Sequence, residues 1–200
     1  MLQNILNIPS LYKLFNVGIG VNQLRQFLDL EHIHSHPQCT ILDLGCGTGN
    51  MVPYLKFSKY VGIDLSPANI RSAKAKYKKN VQFISCSADK IDNVLQGMKF
   101  DRVLGIGLLH HLSDDLANET CRIVKQQLNP DGMFITSDGV YRDKQSLLKK
   151  LLLFSDRGSW VRTQPLYEKI LKVHFSNVTS YEYSGLIRIP YDHLVTVSRP

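Results

Sequence analysis

Two hundred residues with 44% hydrophobic content suffice for one well-buried domain and leave little chain for a second. The formal net charge of +7 raises the question of an anionic partner, but Arg71, Lys74, Lys76, Lys78 and Lys79 gather late in one predicted helix, where they complement its dipole as a solvated face. No run reaches the roughly 20 apolar residues of a membrane span, and the isolated Cys39, Cys46, Cys86 and Cys121 suggest neither a disulfide framework nor a zinc site.

In chain order, Leu2, Ile5, Leu6, Leu11, Leu14, Phe15, Leu24, Phe27 and Leu28 recur at helical spacing, cut into short helices by Pro9-Ser10 and by Gly18 to Gly20. Gln3, Asn4, Asn7 and Pro9 break the apolar continuity a signal peptide needs, so an unprocessed chain in a reducing cytoplasm is expected. Residues 1–36 read as a helical segment that packs on a sheet or covers a site as a lid, residues 37–140 as a ligand-binding core, and residues 141–200 as substrate-side helices with a terminal hairpin.

Strands and helices then alternate. Strands are predicted near 39–44, 60–63, 81–85, 100–106 and 132–137, with helices near 50–57, from Ser66-Pro67 to Tyr77, and over 114–128. Ser66 before Pro67 is an N-cap with proline at the first helical position. Further on, 145–154 and 165–175 read as helices, and 178–183 and 194–198 as strands of an antiparallel hairpin. Such alternation predicts an α/β fold: a Rossmann-like, doubly wound, seven-stranded sheet, mostly parallel, with helices on both faces. The leucines of LLKKLLLF, 147–154, suit a helix packing on that sheet; a membrane-surface helix is the competing reading.

The stretch ILDLGCGTGN, Ile41 to Asn50, runs from a buried strand into a glycine turn, a arrangement that presents backbone N–H groups to a ligand at a sheet's carboxyl edge. Asn50 stands where the dinucleotide fingerprint would have its third glycine, and Asp64 ends the next strand, where a carboxylate can accept from a ribose diol.

Downstream stretches narrow the reading. ILDLGCGTGN, YVGIDLS, CSAD, FDRVLGIGLLHHL and LNPDGMFITSD together resemble the motifs of class I S-adenosylmethionine-dependent methyltransferases, in that family's order, over about residues 39–138. The tail, DRG…VR followed by RIPY, is similar to that of a group of small bacterial-type methyltransferases.

The resemblance implies S-adenosylmethionine as methyl donor, S-adenosylhomocysteine as product and no metal. It implies that Asp43 and the Gly45, Cys46 and Gly47 backbone hold the methionine moiety, with Asn50 in the same turn. Asp64 would accept both ribose hydroxyls, Leu65 would flank the adenine, Ala88 and Asp89 would recognise its amine, and Ile106 and Gly107 would line the methionine end.

Paired histidines leave the fourth strand's carboxyl end, where a neutral imidazole can remove a proton from a nucleophile. LLHHLS is locally similar to phosphoethanolamine methyltransferases, which implies catalysis by His111 with Tyr12 as partner. His110, Asp138, Tyr141, Arg162 and Tyr191 are the candidate substrate residues; Arg157 and Arg162 suit a carboxylate or phosphate, or else cap helix carbonyls and pair with local aspartates.

The expected function is methyl transfer to an O or N nucleophile on a small molecule, one with an anionic group included, by a monomer or homodimer. Nucleic acid is disfavoured as acceptor, because Gly107-Leu108-Leu109-His110 replaces the Asn or Asp, Pro, Pro, aromatic motif of base-amine methylation. A non-catalytic protein that binds the donor is the other alternative.

Overall fold

The computed structural model describes residues 18–87, 90–95, 97–155 and 159–200. Tyr12, Ala88, Asp89, Arg157 and the helices expected before residue 18 lie outside the described residues.

The glycine-turn strand, β1 (Thr40–Leu44), sits deep in the sheet because nearly all of its residues are buried. Beside it run β2 (Lys59–Asp64) and β3 (Val81–Ser85) on one side, and β4 (Phe100–Ile106) and β5 (Leu128–Tyr141) on the other. The last strands, β7 (Asn177–Ser184) and β8 (Asp192–Arg199), complete the order β3-β2-β1-β4-β5-β8-β7, while the two-residue β6 (Arg162–Thr163) pairs with β5. Pairings from β3 through β5 are parallel, and β8 runs antiparallel to both β5 and β7. The strand order reverses direction at β1 and β4, so the carboxyl ends of these strands open a crevice, the usual ligand position in such sheets.

Alternation along β1 assigns the two faces. Leu42 and Leu44 join a core with Val61, Val103 and the helices α4 (Asp114–Gln127) and α6 (Gln164–His174). Ile41 faces the other way, with Tyr60, Leu104, Ile135 and Val195, under α1 (Val21–Leu28) and α2 (Pro67–Lys76). Between α2 and α4, the short α3 (Asp92–Leu95) adds Leu95 to the first core. Leu24, Leu28 and Ile33 are buried in the second, so residues 21–33 pack on the sheet. Ser66 caps α2 as its sequence predicts, its hydroxyl accepting from Asn69 N–H at 3.3 Å.

Four expectations change. No α-helix forms over 50–57: Pro53 and the short run between Gly49 and Lys59 leave room only for a 3-10 turn, Val52–Tyr54. β5 extends well beyond 132–137, because β4, β8 and β6 all supply it with partners. The sheet has eight strands rather than seven, the added one being β6. Finally, α5 (Leu147–Ser155) buries Leu153 but leaves Leu147 and Phe154 85% and 80% exposed. Its inward arc is narrow, since Lys149 turns toward the sheet to pair with Asp192 at 2.6 Å.

Candidate functional site

The turn after β1 is tied almost wholly to its own neighbours. Gly45 and Cys46 N–H donate to the Ile63 carbonyl at 2.8 and 3.0 Å, and Gly49 and Asn50 N–H to the Cys46 carbonyl at 3.0 and 3.2 Å. Gly47, at φ 56, donates to Asp64 Oδ2 at 2.8 Å, and a Cβ there would fall 2.7 Å from the Asn50 amide nitrogen. The expected row of ligand-facing N–H groups is therefore spent inside the turn. A pyrophosphate cradle needs those donors; a donor molecule with no phosphate does not, so the turn fits S-adenosylmethionine better than a dinucleotide. Asn50 belongs to the same closed turn, its Oδ1 accepting from Thr48 Oγ1 at 3.1 Å.

Asp64 is similarly committed. Its Oδ1 accepts from Ser66 N–H at 2.9 Å and Asn69 Nδ2 at 3.1 Å, beside the Gly47 bond on Oδ2. A carboxylate offers about four lone-pair positions, so these three donors leave Asp64 about one position open. Leu65 next to it is 74% exposed, available to cover a flat ring.

Asp43 lies behind the turn, 2% exposed, with the Tyr60 hydroxyl donating to Oδ2. Burial pushes its carboxyl up to about 7; the Tyr60 bond and Arg25 pull down, and the Asp64 charge pushes up. Tyr60 itself reads in sequence as a core aromatic. The signal for its role is that it pairs with Ile41, two residues before Asp43, and so shares Asp43's face of the sheet. Burial, with Asp43 and Asp64 nearby, drives the Cys46 thiol far above its ordinary value, which rules out a reactive thiolate in the turn. All four cysteines are free.

At the exits of β4 and β5, His110 and Asp138 come together. Asp138 Oδ1 accepts from His110 Nδ1 at 2.7 Å and from His110 N–H at 3.2 Å, with both residues buried. Asp138 Oδ2 is buried with no hydrogen-bond partner among the described residues. Gly107 follows Ile106 at the end of β4, at φ 71, and a Cβ on it would lie 3.7 Å from His110 Cε1. His111, in contrast, is exposed and contributes a ring face at 4.2 Å from His110.

Tyr191 is buried over Gly139, where an added Cβ would collide with its hydroxyl, and it contacts the His193 ring at 4.8 Å. His193 pairs with Gly139 across β5 and β8, one residue before the strand expected over 194–198, and its sequence carries no local sign of what the partner strand brings. Tyr141 ends β5 opposite Thr163 of β6, outside this buried group.

Of the two readings of Arg162, the structure shows the one in which it holds carbonyls and pairs with an aspartate. Its Nε and Nη2 donate to Asp114 Oδ1 at 2.9 and 2.7 Å, its Nη1 to the Leu109 and Trp160 carbonyls at 2.8 and 3.0 Å, and its Nη2 also to the Leu112 carbonyl at 2.7 Å. All five donors of the guanidinium are used within the protein, so Arg162 clamps the turn that carries His110. Trp160 N–H adds a bond to the His110 carbonyl at 2.9 Å. Among the described residues, no three His, Cys, Asp or Glu side chains gather as a metal site, and no helix is long and apolar enough to cross a membrane.

Comparisons with known proteins agree with this geometry. The family described as a methyltransferase domain matches residues 35–177. An uncharacterized methyltransferase of Oceanobacillus iheyensis is 24% identical over 129 residues, 64% of this chain and 60% of the relative. A ribosomal protein L11 methyltransferase of Clostridium perfringens is 32% identical over 120 residues, 56% of this chain and 35% of the relative. The chain thus spans less than two thirds of the length of these curated relatives. An S-adenosylmethionine-dependent methyltransferase from Clostridium acetobutylicum shares the fold, with a TM-score of 0.70 at 16% identity over 94% of both chains. With the family model matched over residues 35–177, most of this chain, the chain belongs to the methyltransferase-domain family.

Proposed function

We propose that this enzyme moves the methyl group of S-adenosylmethionine to an oxygen or nitrogen nucleophile on a small molecule. The observation that carries this reading is the buried pair His110 and Asp138, 6% and 2% exposed and joined at 2.7 Å, at the carboxyl ends of β4 and β5. A polar pair held this far from solvent suits a small polar acceptor better than a macromolecular surface.

The sulfonium of the bound donor supplies an electrophilic methyl. The chain's own residues hold the two reactants at near-attack distance and exclude water. Asp43 faces the methionine ammonium, Asp64 takes one ribose hydroxyl through its remaining lone pair, Leu65 covers the adenine, and Ile106 and Gly107 border the methyl. Tyr12, Ala88 and Asp89 keep the roles their motifs imply. A cytoplasmic location and a monomeric or dimeric state go with this reading.

Incubating the protein and labelled S-adenosylmethionine with a cell extract, then separating small molecules from protein and nucleic acid, tests it. Label in the small-molecule fraction is expected. Label confined to protein or RNA refutes the small-molecule acceptor, and no binding of S-adenosylhomocysteine by calorimetry refutes the donor site.

A further inference from the structure

We infer that His110, not His111, is the general base for the acceptor, with Asp138 as its positioning residue; this rests on the function proposed above. The two histidines are adjacent in sequence, but the 3-10 turn Leu109–His111 sends them to different surroundings. His111 is exposed to solvent, whereas His110 is 6% exposed and bonded through Nδ1 to a carboxylate that is itself 2% exposed. A carboxylate accepts only, so Nδ1 carries the proton and Nε2 keeps the basic lone pair. The ring edge between these nitrogens, Cε1, faces Gly107 at the carboxyl end of β4.

Two further observations argue that this pairing is built for orientation. Asp138 Oδ1 holds both the ring and the backbone N–H of His110, which fixes the ring relative to the chain. From the other side, Arg162 grips the Leu109 and Leu112 carbonyls on either flank of the same turn, and Trp160 holds the His110 carbonyl. A histidine that only capped the turn would need one of these restraints. The buried Asp138 Oδ2, with no partner among the described residues, adds an acceptor beside the pair.

The other ionisable groups around the pair are the His111 ring, the Arg162–Asp114 ion pair and the Tyr167 hydroxyl. That hydroxyl donates to the carbonyl of Gly139, next to Asp138. Tyr191 and His193 close the β8 side.

In the step, Nε2 takes the proton of an O–H or N–H acceptor while that atom's lone pair bonds the methyl carbon. The methyl–sulfur bond breaks with its electron pair left on sulfur, giving the thioether product. The imidazolium, stabilised by Asp138, then returns its proton to water.

The test uses His110→Asn, which keeps an N–H donor near the Nδ1 position for Asp138 but removes Nε2. Label incorporation from S-adenosylmethionine into the small-molecule fraction should fall about a hundredfold or more, with S-adenosylhomocysteine affinity within about threefold of wild type. Nitrogen NMR of the wild type should show His110 protonated at Nδ1 and bare at Nε2, and Asp138→Asn should erase that preference. The NMR reading requires no His110 variant to fold.

Incorporation by His110→Asn within threefold of wild type, an Nε2–H tautomer in the wild type, or loss of transfer in His111→Gln but not in His110→Asn would each overturn the assignment. A wild type that binds S-adenosylhomocysteine but labels nothing removes the proposed function along with it, whereas an active wild type with an active His110→Asn removes the base alone.

Discussion

The Tyr60 hydroxyl donates to Oδ2 of Asp43 in a place with no solvent, and the aspartate it meets is held up to about 7. Burial is the main cause, with the Asp64 charge adding to it and the Tyr60 bond and Arg25 opposing it. An acid whose folded value lies above its unfolded value of 3.8 keeps its proton longer in the folded state. The protein should therefore lose stability as pH rises from about 4 to about 7, with no further loss from this group above that. Thermal melts from pH 5 to 8 should show the decline in wild type and a flatter curve in Asp43→Asn, which still accepts from Tyr60. Affinity for S-adenosylhomocysteine should move the other way, rising through pH 7 as Asp43 ionises to meet the ligand's ammonium.

Asp64→Asn is expected to weaken S-adenosylhomocysteine binding by tenfold or more, an unsatisfied buried polar group costing about 1–3 kcal/mol. An amide presents one acceptor and one donor end, so either Gly47 N–H or the Ser66 and Asn69 donors must face an NH2 group. Calorimetric titration at constant pH checks this. Binding equal to wild type would mean that the glycine turn holds its shape without the carboxylate.

Arg162→Ala should destabilise the fold by about 3 kcal/mol in urea titrations, because it strands the Leu109 and Leu112 carbonyls in a buried position. Asp114, whose side chain is 69% exposed, can return to water and adds little to the loss. Arg162→Lys should recover only part of it, since a compact ammonium with three donors cannot span four acceptor atoms.

Gly139→Ala is predicted to cost about 1–3 kcal/mol through overpacking, since the added methyl meets the Tyr191 hydroxyl and the Leu153 side chain. Displacing Tyr191 should lower label transfer to the acceptor while leaving S-adenosylhomocysteine titrations near wild type. Equal losses of both would mean that Tyr191 supports the donor side as well.

Much of the cofactor half is legible because its signals are local. Ser66-Pro67 specifies a cap, the strand and glycine turn at 41–50 are contiguous, and β4 ends where its glycines do. The missing helix after Gly49 was hidden because helical periodicity persists through a stretch too short to use it. The acceptor half depends on distant partners. Arg162 finds carbonyls some fifty positions away, and main-chain acceptors leave no pattern in side chains. Nor does a pair of identical residues such as His110 and His111 reveal which one a tight turn will bury.

β8 is the last strand in the chain, yet it lies inside the sheet, with Phe134 opposite Ser198 on one side and Val178 opposite the same residue on the other. While the chain is being made, the place of β8 beside β5 stays empty until residues 192–199 emerge, and β7, whose partner among the described strands is β8, has nothing to join. Contacts this distant in sequence close slowly, and an unpaired β5 edge invites strand exchange with other nascent chains in the interval. A strand that enters the middle of a sheet after its neighbours leaves them waiting, so substitutions that weaken β8 should cost solubility during synthesis before they disturb the glycine turn after β1.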